Sequence, residues 1–200
     1  MKKLILSLSC LALLASACNS EKKASTTDSP KVETSKNVDT AAMNKAWAAY
    51  MTPSEPHKML AKADGKWDAE LTFYMGGDSS VHKAVSETEM ILGGRYQQSE
   101  YDGDVDGMPF IGMNTLAYDN SRKVYISTWI DNMGTGMMVM RGKMSPASQK
   151  MVLKGEMVDP ATGKAKPVRE VYSVIDENTR KMEMYDNHNG KEYKSMEIIM

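Results

Sequence analysis

From Lys66 the chain alternates apolar and polar residues with period two: Trp67, Ala69, Leu71 and Phe73 fall on one face, Asp68, Glu70 and Thr72 on the other. Side chains of a strand point alternately to its two faces, so this pattern predicts a half-buried β-strand. Turn signals then recur at Gly76-Gly77-Asp78, Gly93-Gly94, 102–107, Asp119-Asn120, 131–134, Ser145-Pro146, Asp159-Pro160 with Gly163, 176–178 and 187–190. The runs between them have the spacing of an antiparallel meander, and counting them gives about ten strands. No helix-length segment interrupts the runs, which argues against parallel crossovers. A sheet of ten short, hairpin-linked strands closes on itself because closure removes exposed edges. The expected fold is mainly β: an antiparallel up-and-down β-barrel of about ten strands over 65–200, with a short N-terminal helical segment over 41–64.

The helical segment has two parts. AAMNKAWAAYM (41–51) places Met43, Trp47 and Tyr50 at helical spacing. After a break at Thr52-Pro53, a second helix starts either at Ser54 with Pro56 in its first turn or at Thr52 with Pro53. Met59, Leu60 and Ala63 give it one apolar face, and Gly65 ends it. Residues 19–40 are different in kind: polar, rich in Ser, Thr and Lys, with Val32 and Val38 their only sizeable apolar side chains. Such a stretch buries too little surface to offset its ordering entropy, so 18–40 reads as a flexible tether.

Ahead of the tether stands a leader. Lys2 and Lys3 are followed by an apolar run over 4–14, too short to span a bilayer, and then by Ala15, Ser16 and Ala17. A cysteine directly after these small residues, Cys18, resembles a bacterial lipobox, in which the thiol is diacylated and becomes the new N-terminus. Ala15 stands where leucine is commonest in that motif, and a plain signal peptide over 1–17 with a chance cysteine is the competing reading. Cys10 lies within the leader, so the mature chain can form neither an internal disulfide nor a cysteine-based metal site. Several acyl chains on Cys18 would hold the protein firmly to a membrane. Asn19, not aspartate, follows Cys18, which favours an outer-membrane address in the cell envelope, on its periplasmic or surface face.

Charge removes one class of function. The net charge is −1, and without Lys2 and Lys3 the balance falls to −3. No basic excess is available to neutralise phosphates, so nucleic acid is excluded as a partner. Composition raises another question, since the chain has 19 methionines against two phenylalanines and three tryptophans. Methionine is flexible and polarizable, suited to irregular or adaptable pockets, and its thioether also selects copper(I). The densest group is Met133, Met137, Met138, Met140 and Met144; on a strand, Met138, Met140 and Met144 share a face with Gly142. Copper sites usually add histidine or cysteine, and His57, His82 and His188 have no ligand spacing, so core or pocket lining is the preferred role.

Other constellations are weaker. Asp102-x-Asp104-x-Asp106-Gly107 matches the first half of a calcium loop, but the position that needs a bidentate carboxylate is Met113. A hairpin turn rich in Asp and Gly explains the same letters. Glu87 and Glu89 share a strand face about 7 Å apart, yet there is no nucleophile elbow, phosphate loop or HExxH. Nothing raises His57 or His188 to a haem ligand. No catalytic residue, metal or cofactor is expected.

Gly65-Lys66-Trp67, after a short helix, resembles the Gly-x-Trp opening of the calycins. More specific are ILGGRYQQSEY (91–101), GMPFIGMNTLAYDNSRKVYISTWIDNMGTGMM (107–138) and EMYDNHNGKEYKSMEI (183–198). With PHKMLAKADGKWD (56–68), they look like the bacterial DUF1579 family, a domain of unknown function, over roughly 53–200. The resemblance implies a calycin-like barrel and brings no catalytic residues. In lipocalins the tryptophan packs under an arginine near the last strand; here that strand offers only Lys191 and Lys194, leaving Arg169 or Arg180 to substitute.

Glu87, Glu89, Gln97, Gln98, Glu100, Arg169 and Glu170 sit in strands whose two faces are both partly polar. A barrel wide enough for a cavity tolerates polar lining, whereas a filled core does not. The expectation is therefore a lipid-anchored barrel that binds a small apolar or amphipathic ligand. Tyr125, Trp129, Met138, Met140, Met184 and Tyr185 would line it, with Arg95 or Arg169 for an anionic head group. The alternatives are an interaction module that docks through 131–136, and, third, an enzyme using Glu87 or Glu89.

Overall fold

The computed structural model describes residues 39–145 and 147–200. The leader, Cys18 and the tether lie outside the described residues. Ten strands follow one another: β1 (Gly65–Met75), β2 (Asp78–Ile91), β3 (Tyr96–Val105), β4 (Met108–Asp119), β5 (Val124–Asp131), β6 (Met138–Ser145), β7 (Lys150–Asp159), β8 (Lys164–Val174), β9 (Arg180–His188) and β10 (Lys191–Ile199). Each pairs antiparallel with the next, and β1 closes on β10. The result is the expected up-and-down barrel of ten strands, preceded by α1 (Thr40–Met51), α2 (Glu55–Leu60) and a 3-10 turn (Ala61–Ala63).

Cross-strand partners share a face, so the register sorts inside from outside. On β2, Ala84, Ser86 and Thr88 are buried while Val85, Glu87 and Glu89 are exposed. Glu87 pairs with Lys66 at 3.5 Å on the outer wall. That wall also carries Lys181 and Lys194 interleaved with Glu183 and Glu197, with contacts of 2.6 to 3.5 Å. An exterior of this chemistry faces water, not acyl chains.

One end of the barrel is plugged. Leu60 of α2 is buried in the main core with Leu116, Tyr125, Met140, Met151, Leu153, Val168 and Met184. Met140, Met151 and Leu153 are almost completely enclosed, and burying each such side chain contributes about 1.5–3 kcal/mol. Polar contacts fix the plug to the strands. Gln97 Nε2 donates to Leu60 O at 2.6 Å, and Trp67 Nε1 to Ala63 O at 2.9 Å. Arg180 Nη2 donates to Lys62 O at 3.4 Å, and its guanidinium lies 5.0 Å from the centre of the Trp67 ring. Arg180 therefore takes the place under the opening tryptophan; Arg169 lies elsewhere. Carbonyls of Asp176 and Thr179 take the remaining Arg180 donors, which is how this buried charge is tolerated.

Two local features shape the wall. A Cβ on Gly142 would collide with the Val152 carbonyl of β7, so the close approach of β6 to β7 requires glycine there. In the turn after β4, Asn120 acts as the C-terminal cap of α1. Its Nδ2 donates to Thr52 O at 2.7 Å and approaches Ala49 O and Tyr50 O at 3.2 and 3.3 Å. Its Oδ1 accepts from Ser54 Oγ at 2.7 Å. Only its far end holds α1: it has no buried residue, and Met43, Trp47, Tyr50 and Met51 stay exposed.

Asn120 thus ties both helices to the β4–β5 turn. Asn120→Ala should lower stability by about 1–3 kcal/mol in urea unfolding, because several buried polar groups lose a partner at once. Hydrogen exchange should rise selectively in residues 40–60 while the strand amides stay protected.

Candidate functional site

From mid-barrel toward the unplugged end, several inward side chains are less completely enclosed than the core. Tyr101 on β3, Trp129 on β5, Met138 on β6, Glu170 on β8 and Met196 on β10 all lie on the inward register. All of them are only half-buried. Side chains that point inward yet keep accessible surface line a space, and ten strands enclose a wider interior than the eight that side chains just fill.

Three aromatic rings form one side of this lumen. Trp129 stacks with Phe110 of β4 at 6.3 Å between centroids and 20° between planes, and meets Tyr101 edge-on at 5.4 Å. The indole is held by its own strand, Nε1 donating to Asp131 Oδ2 at 2.7 Å. Room for the ring comes from Gly112, where a Cβ would touch the six-membered edge of the indole. Tyr101 also donates to Met200 Sδ at 3.5 Å.

Opposite stands Glu170. Strands β3 and β8 are five apart in the ring of ten, so Glu170 and Tyr101 face each other across the barrel. The register neighbours of Glu170 are apolar, Leu153 on β7 and Met184 on β9. Among the described residues its carboxyl has neither a hydrogen-bond donor nor a cation. Burial alone pushes it up to about 7, because an isolated carboxylate is poorly solvated there. The same burial pushes the Tyr101 phenol up to about 12, and the charge of Glu170 adds to the effect. Tyr172, two residues along β8, is also raised by burial, with Arg180 acting against the shift. Ser86, the register partner of Tyr101, is sealed in the wall with its hydroxyl unpaired.

The expected lining residues divide. Tyr125, Trp129, Met138, Met140 and Met184 point inward, but Tyr125, Met140 and Met184 are buried in the main core, where Tyr125 packs on Tyr118 at 4.9 Å. A cavity of about 250 Å³ lies beside that core under the plug, lined by Leu60, Met144, Tyr172 and Arg180. Met138 and Trp129 border the open part. Arg169 and Tyr185 do not belong to the lumen: they are register partners on the outer wall, with the guanidinium 3.9 Å over the Tyr185 ring. Arg169 is also held there by Glu192, through contacts of 2.8 and 2.6 Å. Arg95 is outside as well, exposed in the β2–β3 turn and donating to the carbonyls of Leu92 and Gly93. The expected anionic head group loses both of its arginines, and Glu170, expected only as one of several polar strand residues, faces inward. Its parity with Val168 and Tyr172, both facing inward, is the one local signal, and Val171, buried on the other face, blunts it.

The other candidates separate. Met133 and Met137 are exposed in the loop after β5, whereas Met138, Met140 and Met144 face inward. The Asp-rich stretch is a hairpin turn in which Asp104 Oδ1 accepts from Gly107 N at 2.7 Å. His57 belongs to the plug: its Nδ1 accepts from Ser54 N at 2.9 Å, and burial lowers its pKa. Among the described residues no group of three or more His, Cys, Asp or Glu is placed to hold a metal ion.

The closed ten-stranded meander, with helices at one end, defines an antiparallel up-and-down β-barrel. The chain matches the model of DUF1579, a protein family of unknown function, over residues 52–200, and belongs to that family. No curated protein matches it.

Raising Glu170 from 4.5 to about 7 opposes its ionised form in the fold by about 3 kcal/mol. The native state then holds a proton that the unfolded chain releases between these values, so stability falls as pH rises from about 4.5 to about 7 and levels off above. Glu170→Gln should abolish this slope. In urea unfolding the variant should match the parent near pH 4.5 and exceed it at pH 8; equal midpoints at pH 8 would show that the carboxyl is well solvated.

Proposed function

We propose that the protein is a lipid-anchored, cell-envelope binding protein that takes the apolar portion of a small amphipathic molecule into the unplugged half of its barrel. The observation that carries this reading is the set of inward side chains left half-buried around Trp129, Met138 and Glu170. A mostly apolar concavity with a few placed polar groups is the usual form of a small-molecule site. Methionine suits such a wall because its unbranched chain adapts to ligand shape at little cost. The packed core next to these residues gives the site a firm floor. Anchoring follows from the sequence, through the leader, Cys18 and the polar tether before the barrel.

Two measurements test the two parts. Cys18→Ser should move the protein from the membrane fraction to the soluble fraction and abolish metabolic labelling with palmitate; continued labelling would refute the anchor. Protein purified from its own envelope should carry a bound mass in native mass spectrometry, released on denaturation. After delipidation it should bind decan-1-ol, and Met138→Trp, which enlarges a partly exposed inward side chain, should block that binding. No bound mass and no decanol binding would overturn the lumen reading.

A further inference from the structure

We propose that the lumen selects an amphiphile with a cationic, ammonium-type head group, held between the Glu170 carboxylate and the aromatic wall of Tyr101, Trp129 and Phe110. This inference rests on the lumen-binding reading above and assigns the chemistry of the head group.

The argument starts from charge. Among the described residues Glu170, in the middle of the barrel, has no counter-ion, and the two inward-facing cations nearest to it along the strands are already committed. Arg180, at the plugged end, gives its guanidinium to the carbonyls of Asp176, Thr179 and Lys62 and to the Trp67 ring. Lys166, near the mouth, pairs with Asp159 at 3.0 Å. Arg169, Lys181 and Lys194 are held by acids on the outer wall. A buried carboxylate is costly unless paired, and the partner it lacks is a cation. An anionic head group would meet this acid with nothing to balance it.

The opposite wall points the same way. The face of an aromatic ring carries negative potential, and rings grouped with a carboxylate form the usual cage for quaternary and primary ammonium groups. Trp129 and Phe110 stack at 6.3 Å, with Tyr101 edge-on to the indole at 5.4 Å, and Tyr101 stands across the ring from Glu170. Charge complementarity extends to the entrance. The turns and strand ends at the unplugged end carry Asp78, Asp104, Asp106, Asp131, Asp159 and Asp186 against Lys164, Lys166 and Lys191. A mouth of this sign raises the local concentration of cations. The protonatable groups that act on Glu170 are few: Tyr101 from β3, Tyr172 from β8 and, through Tyr172, Arg180 from β9. Both phenols are raised by burial and stay neutral near pH 7, so a change in binding across that range reports the carboxyl.

Calorimetry of the delipidated full-length protein with three decyl probes decides the matter: decyltrimethylammonium, decan-1-ol and decanoate. The ammonium should bind at least about tenfold more tightly than the alcohol, and decanoate most weakly. Glu170→Gln should remove that preference, so that the ammonium binds no more tightly than the alcohol. A quaternary ammonium is charged at every pH, so its affinity should rise between about pH 5 and about pH 8 as Glu170 ionises, while decanol stays flat. This titration needs no variant. Decanol or decanoate binding as tightly as the ammonium, or an ammonium affinity flat over that range, would overturn the inference and leave the lumen reading standing. Failure of all three probes to bind would overturn both.

Discussion

Closure of the sheet at the β1–β10 seam is the constraint on which the rest of this molecule depends. The seam is short, with four register pairs from Glu70–Ile199 to Phe73–Met196. Beside it the β9–β10 pairing runs on to the last residue, since Met200 exchanges two main-chain hydrogen bonds with Arg180, at 2.8 and 2.9 Å. Those bonds place the guanidinium of Arg180 under the plug, where it meets Trp67 and the Lys62 carbonyl. One stretch of backbone therefore closes the barrel, seats the buried cation and fixes the floor of the lumen. Closure also sets what faces inward, because a register slip of one residue on any strand would exchange its two faces.

That dependence explains what the sequence could and could not disclose. The strands and their order were legible because alternation and turn chemistry are local: Trp67 to Phe73 announces β1, and glycines and aspartates mark nearly every hairpin. The second helix start was legible for the same reason, with Ser54 capping α2. The site was legible only in part. On β8 the run Val168, Arg169, Glu170, Val171, Tyr172 has apolar residues on both faces, since Val171 is buried on the outside. Neighbouring residues cannot say whether the arginine or the glutamate turns inward. Cross-strand pairing with Leu153 and Met184 decides it, and pairing is a long-range property. The preference for Arg169 as a ligand group followed from its charge type, but Tyr185 and Glu192, one strand and two strands away, hold it outside.

The interior divides its work between two kinds of residue. In the plugged half, Met140, Met151 and Leu153 are packed to near-complete burial and supply stability. In the other half the same backbone carries side chains that leave space, with glycine at 112 clearing room for an indole. The methionine excess serves both halves. Inside the core it fills irregular gaps, and around the lumen it offers a surface that can re-pack. Three methionines of the densest group, Met138, Met140 and Met144, face inward on β6, and they belong to or pack against the main core.

Glu170 is the residue that stability alone does not account for. A glutamine of the same shape would avoid the cost of an unpaired buried carboxyl, and an apolar residue would extend the packing of Leu153 and Met184. Residues that work against the folded state are commonly found where function needs them. Arg180 is the instructive contrast within the same barrel: also charged and also inside, it is satisfied by carbonyls and a ring, so its role in the fold is complete. Glu170 has rings across from it and no cation, so its environment is completed by something from outside the chain. Two inward-facing charges of opposite sign, one satisfied by the protein and one without a partner among the described residues, separate the floor that holds the barrel together from the site beside it.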